Sequence, residues 1–385
     1  MTRRNKAIYA PSMRLKKGEM EGLRELRDDV ADCILPVLIV PPFRERSSSS
    51  QEDLFPSGEK IPDVGGILAK YWLRRWIFID PGVLLKEYGL GNALNWLPNI
   101  FRRARNLDVF AIPVVSLSDL ESGGALAIKH SLPESYRLKL GLRIPSGDMT
   151  DPELASRIQS ILSGMGVAAS DCAVFADFSD ADLSDHLLVA PIIRAALEQL
   201  QEYGNWQLIA FQGTHYPEKN PAKPGQTVIH PRNEWLAWRD AVKFDPTTAE
   251  HMIFGDFVAD HAKLDFSGKR ARPIPHCRYA IDSHWIVARG NDGGSIQEAM
   301  RNVFRRIVAS GNFAGPSFST ADAYIDAVAG NSSDSAGNPS TWRQVNTTHH
   351  ITRVVADIAT VRGIPITELP NAPTGIQLTL LDAGS

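Results

Sequence analysis

The strongest constraint on this sequence is an alternation. Short apolar runs, each the length of a buried strand, are separated by stretches with helical periodicity. Eight such runs fall at residues 7–15, 33–40, 76–80, 109–116, 136–144, 172–178, 206–212 and 251–257. Helical patterns follow at 18–28, 61–75, 92–105, 151–164, 185–203 and 231–243, with a shorter one near 117–130. The runs are apolar almost throughout, as expected of strands covered on both faces. Eight βα units recurring about every 30 residues predict an α/β fold of the (β/α)8 TIM-barrel type. An open doubly wound sheet is the rival, but the first run leads into K-K-G-E with no G-x-G-x-x-G turn.

The chain has 385 residues and a net charge of −3, so a globally basic nucleic-acid coat is excluded. Its longest greasy run, 34–42, holds three prolines and is too short to span a bilayer. The basic start M-T-R-R-N-K leads into no apolar signal region. Three lone cysteines, Cys33, Cys172 and Cys277, fit neither a disulfide framework nor a zinc knuckle. The expectation is a reduced, soluble, cytoplasmic protein with no membrane partner.

Beyond the eighth run the chain is longer than a minimal barrel needs. Residues 277–290 alternate like an extra hairpin, 295–309 and 321–329 read as helices, and a last helix is expected over 348–361. The chain is therefore read as one domain, 1–385, with 261–345 as an elaborated C-terminal segment. Loops 43–60 (centred on Ser47–Ser50), 214–227 and 260–276 leave the carboxyl ends of strands, where barrel active sites sit.

Two stretches carry a family likeness. Y-A-P-S-M-R-L-K-K-G-E-M-E-G-L running into I-L-P-V-L-I-V-P-P, and the later W-R-Q-V-N-T-T-H-H-I-T-R-V, resemble the two ends of the beta family proteins, bacterial and phage proteins named from a phage beta protein. Arg278-Tyr279 fits that family's extra strand. The resemblance implies a barrel found near mobile elements and phage-defence genes, hence an antiviral role. It implies no catalytic residues.

Polar residues at the strand ends are the candidates for chemistry, because a barrel points them into one basin. Asp80, Asp177 and Asp256 each close an apolar run, in I-F-I-D, V-F-A-D and I-F-G-D, and suit acid–base work. They are candidates to converge on a divalent metal with His215 or His349, although aspartates there also serve as ordinary helix or turn caps. No metal or other cofactor is specified by a motif. Arg14, Lys16, Arg143 and Arg278 are candidate anion ligands, with a salt bridge to a neighbouring aspartate as the plain alternative for Arg143. Gln212, Thr214 and His215 line the same edge. The basic stretches at 102–105, 268–272 and 301–306 give nucleic acid a weak claim.

The C-terminal cluster T-W-R-Q-V-N-T-T-H-H adds Trp342, Tyr279 on the hairpin, Asn346, His349 and His350. The threonines read as a helix cap, and histidines in a first turn would be held neutral by the helix dipole. Neighbours on a helix point about 100° apart, so the two imidazoles are expected to serve different places. The functional expectation is a hydrolase, phosphodiesterase-like, acting on a phosphate-bearing or nucleotide-like small molecule. The alternative is a non-catalytic barrel that binds a phage protein or a partner encoded nearby.

Overall fold

The computed structural model describes residues 7–45, 60–243, 252–262 and 273–366. Eight strands form one parallel sheet in chain order: β1 (Ser12–Arg14), β2 (Val37–Ile39), β3 (Trp76–Asp80), β4 (Phe110–Ser116), β5 (Leu140–Pro145), β6 (Cys172–Asp177) and β7 (Leu208–Gln212), then, after β8 (Thr227–Pro231) leaves for a second sheet, β9 (Met252–Ile253). Each sheet neighbour is parallel, which demands crossovers, and helices such as Val64–Tyr71, Ala93–Asn106, Leu154–Met165 and His186–Tyr203 supply them.

The alternation of side chains along the strands sorts them onto two faces. One face carries Ala10, Val37, Phe78, Ile112, Val114, Ala173, Phe175, Ala210 and Ile253, which pack together as a single cluster. Phe78 of β3 and Phe175 of β6 meet edge to face at 5.1 Å although two strands lie between them, so the sheet curls strongly inward. The opposite face, with Met13, Ile77, Ile79, Leu140, Leu142, Val174 and Phe254, is covered by the helices. At the sheet's two edges Tyr9 bridges Phe254, and the amides of Ala10 and Ser12 donate to the carbonyls of Phe254 and Asp256 at 2.8 and 2.7 Å.

The expected hairpin is β10 (His276–Ala280) and β11 (His284–Arg289), and β8 joins it to make a three-stranded antiparallel sheet. Strand β8 was not expected. Its T-V-I-H-P sits between a proline-rich loop and a helix, too short to show an alternation of its own. Helices Ile296–Val308 and Thr320–Ala329 pack on this sheet around a second apolar cluster that includes Met300, Phe304, Ile325 and Trp342.

The last helix runs Pro339–Arg362, nine residues earlier than the sequence pattern suggests. Asn338 caps it, accepting the amides of Ser340 and Thr341, and proline occupies its first turn, where no amide is needed. Its mixed polar face conceals the start because so much of it is buried. Trp342 and Val345 enter the second cluster while Ile351, Val354, Val355 and Ile358 enter the main one, so a single helix serves both cores. No described helix is long and apolar enough to cross a membrane.

This terminal helix lies directly on the helix Lys17–Arg24, and the glycines of K-G-E-M-E-G make the approach possible. A Cβ at Gly18 would stand 2.6 Å from the Ser340 carbonyl, and one at Gly22 would stand 2.7 Å from the Thr347 Cβ. Thr348 Oγ1 donates to the Gly22 carbonyl at 3.0 Å. Gly22→Ala is therefore expected to destabilise the fold by about 1–3 kcal/mol, the usual cost of overpacking. Gly147→Ala, where a Cβ meets nothing within 4 Å, is the control and should be near neutral in urea unfolding.

Candidate functional site

The strand-end residues divide by the parity of their strands, and they do not share one basin. Phe78 and Phe175 face inward, so Asp80 and Asp177, two residues on, face inward as well. Arg143 lies between them, with Nη1 2.7 Å from Asp80 and Nε 3.6 Å from Asp177. Each aspartate also takes an amide from the turn that follows, Gly82 at 2.8 Å and Ser179 at 2.9 Å. Burial works against the charge on Arg143, but Asp80 and Asp177 outweigh it and hold its pKa above the ordinary value. Salt bridge and turn cap, the plain readings of these residues, are both present.

Asp256 takes the other face. It follows Phe254 in parity, and its carboxylate meets groups on the helix side of the sheet. Tyr9 Oη donates to Oδ1, the Val258 amide donates to the same oxygen at 3.0 Å, and His350 Nε2 lies 2.7 Å from Oδ2. Both partners of the carboxylate's His–Asp contact are essentially solvent-free. Burial lowers the His350 pKa and overrides the pull of Asp256, so the imidazole is neutral, donating from Nε2. Burial disfavours the Asp256 charge too, yet His350, Tyr9 and the Val258 amide together keep its pKa below the usual carboxylate value. His350 stacks on Trp285 at 4.7 Å, and its Nδ1 meets no partner among the described residues.

Two neighbours of this dyad were not among the sequence candidates. Arg232 is fully buried, giving Nη1 to the Ile281 carbonyl at 2.7 Å and to Asp357 at 2.8 Å. Glu234 accepts the His215 amide at 3.1 Å, and burial pushes its pKa up to about 7, against Arg232 and with Asp256. Both belong to the R-N-E-W that opens the helix Asn233–Lys243, and a charged pair leading into W-L-A-W was the available signal.

His349, the next-door imidazole, works elsewhere. Its Nδ1 faces Asp322 at 3.1 Å and its Nε2 faces the Ala280 carbonyl at 2.8 Å. Both ring nitrogens are thus engaged, one by a carboxylate and one by a backbone carbonyl. Tyr279 stacks on it at 3.7 Å and donates to Asp322, as does Ser319. Trp342 gives its indole hydrogen to the Ala336 carbonyl at 2.8 Å. His349, Tyr279 and Trp342 thus lie in the C-terminal core. The expected first-turn dipole effect on the histidines is corrected, since the helix begins ten residues before His349.

At the rim near β1 a third group gathers around Asp260. Arg14, Arg278 and Arg343 all donate to its carboxylate, Arg278 at 2.9 Å and Arg343 at 2.8 Å. Glu19 takes Arg14 Nε at 3.0 Å. Arg278 lies over the Tyr216 ring at 4.7 Å, and Asn346 receives its amide at 3.1 Å. Thr214 Oγ1 donates to the Asp260 carbonyl at 3.0 Å, and Gln212 Nε2 to the Asp256 carbonyl at 2.9 Å. Burial opposes the Asp260 charge, but the three guanidiniums hold its pKa well below the ordinary range. Arg343 also lies 3.9 Å from Glu19, yet burial, with repulsion from Arg14 and Arg278, lowers its pKa despite the two carboxylates. Lys16 pairs with Glu45 at 2.9 Å, and His215 stacks on His230 at 5.0 Å. The basic G-K-R-A-R at 268–272 and Ser47–Ser50 lie outside the described residues.

Among the described residues no three His, Cys, Asp or Glu side chains are placed to hold a metal ion. Asp80 and Asp177 are engaged by Arg143 and cannot be joined by Asp256 across the sheet.

The Glu234 carboxyl makes stability depend on pH. Its folded pKa of about 7 lies above the ordinary 4.5, so its contribution is full below pH 4.5 and is lost as pH rises toward 7. That displacement corresponds to roughly 3 kcal/mol. Glu234→Gln is expected to flatten the stability–pH curve between these limits and to exceed the wild type at pH 8, as read by urea unfolding.

A family model described as Beta protein matches residues 9–356, a span that includes Tyr9, Arg14, Arg343 and His350, the residues that meet at Asp256 and Asp260. No curated protein matches the chain.

Proposed function

The chain belongs to the Beta protein family, and from the rim geometry we propose that it binds a phosphate-bearing small molecule at the strand-end rim. The observation that carries this reading is the charge balance around Asp260. Three guanidiniums there face two carboxylates, Asp260 and Glu19, among the described residues, leaving one positive charge without a counterpart. Arginine forks match phosphate oxygens in number and geometry better than any other side chain does.

In the same reading the curled sheet is a (β/α)8 barrel, supported by the bridge between Tyr9 and Phe254 and the two backbone hydrogen bonds beside it. Hydrolysis of the ligand is its catalytic form. Support comes from His350, a neutral imidazole whose Nδ1 has no partner among the described residues; it is oriented by Asp256, which lies on the segment that carries Asp260 to the rim. The setting implied by the family is phage–host conflict.

A second reading, a non-catalytic barrel that docks a partner protein, has its own support. The inner face is filled by apolar side chains, and Leu187, Leu188 and Ile192 on one helix are 67, 71 and 60% exposed.

The phosphate reading predicts that inorganic phosphate and a nucleoside monophosphate raise the melting temperature and bind in calorimetry. Arg343→Ala should weaken binding by about 10–100-fold, the loss of one or two charge-assisted hydrogen bonds. Unchanged affinity in Arg343→Ala would sink the assignment. His350→Gln should abolish hydrolysis of a phosphodiester while leaving phosphate binding in place.

A further inference from the structure

We propose that Asp260 is a built-in occupant of the phosphate seat, displaced when ligand binds. The inference rests on the phosphate reading above and adds a mechanism of control to it.

The first argument is a mismatch in number. Three guanidiniums converge on a carboxylate that has two oxygens. Arg14 and Arg343 share Oδ2, while Arg278 shares Oδ1 with the His261 amide. A phosphomonoester presents three terminal oxygens and close to two negative charges, so it would give each guanidinium its own acceptor. It would also supply the charge the cluster lacks.

A second observation stands apart from the charge count. Tyr216 is only 2% exposed and lies beneath the Arg278 guanidinium; among the described residues its hydroxyl has no partner, and Arg278 Nε has none either. Buried donors of this kind ordinarily find an acceptor. Asp260 does not satisfy them, and a larger anion seated beside Arg278 would bring further oxygens to the same place.

The third argument concerns the backbone that delivers Asp260. Val258 and Ala259 both have positive φ, 48° and 56°, in the left-handed region that side-chain-bearing residues avoid. A β-branched valine is especially poorly suited to it. The strain is held by the Asp256 carboxylate on the Val258 amide, by Arg278 on the Ala259 carbonyl and by Thr214 on the Asp260 carbonyl. Releasing Asp260 from the arginines would remove one of the forces that impose this conformation. Ligand binding would thus be coupled to relaxation of the segment from Asp256 to Asp260, which starts at the residue holding His350.

The test uses the full chain and its Asp260→Asn variant, titrated with inorganic phosphate by calorimetry. If Asp260 plugs the seat, Asp260→Asn binds phosphate at least about tenfold more tightly than wild type, and adding Arg343→Ala abolishes the gain. A cooperatively folded Asp260→Asn that binds equally or more weakly overturns the plug while leaving the phosphate seat standing. Phosphate binding by neither protein overturns both readings. Should Asp260→Asn fail to fold, hydrogen exchange on the wild type decides. Saturating phosphate should speed exchange of the amides at 257–261, and unchanged or slower exchange at saturation overturns the plug.

Discussion

One buried carboxylate holds the ends of this fold together. Asp256 leaves the last strand of the main sheet and accepts from Tyr9, ahead of the first strand, and from His350, in the middle of the terminal helix. Sequence separations of 247 and 94 residues are closed at one side chain. An ionised carboxylate out of water is costly unless its oxygens are fully engaged, and here an O–H, an imidazole N–H and an amide N–H engage them. Removing one partner would leave a buried charge exposed to its own desolvation penalty. The arrangement therefore specifies where the sheet's two edges and the terminal helix must sit, whatever its net contribution to stability.

The two stretches that carry the family likeness acquire a physical meaning from this. Y-A-P-S-M-R-L-K-K-G-E-M-E-G supplies Tyr9, Arg14, Glu19 and the two glycines of the close helix contact. W-R-Q-V-N-T-T-H-H supplies Arg343, Asn346, Thr347, Thr348 and both histidines. They are far apart in the chain and are one contact surface in the fold. What is shared there is a helix–helix packing, an ion cluster and a carboxylate clasp, and the same two stretches contribute to all three.

How much of this was legible depended on the range of the interaction. The eight strands of the main sheet and the extra hairpin follow from local apolar periodicity, which survives burial, whereas β8 is too short to show one. The direction of a polar strand-end residue does not, because a shift of one position flips the face. Asp80 and Asp177 come two residues after inward phenylalanines, whereas in I-F-G-D the glycine takes the inward place and Asp256 turns out. Reading Phe254 as the counterpart of Phe78 hid that difference. Asp260, Arg343, Arg232 and Glu234 were missed for a related reason. Each looks like an ordinary loop or helix-surface charge until tertiary packing buries it.

The adjacent histidines show how the rotation of about 100° between neighbours on a helix converts one dipeptide into two chemistries. His349 points into the C-terminal core, where contacts to the Asp322 carboxylate and the Ala280 carbonyl tie the added sheet to the helix. His350 points at the main sheet, where burial keeps it neutral and a carboxylate fixes which nitrogen carries the hydrogen. Both are equally buried, so exposure does not distinguish them. The difference lies in the partners: His349 has both ring nitrogens engaged, while His350 meets a carboxylate with one nitrogen only. Of the two, only His350 has a ring nitrogen without a partner among the described residues. That is why the acid–base candidate of this fold is the second histidine, and why the first is better understood as the rivet holding the C-terminal segment against it.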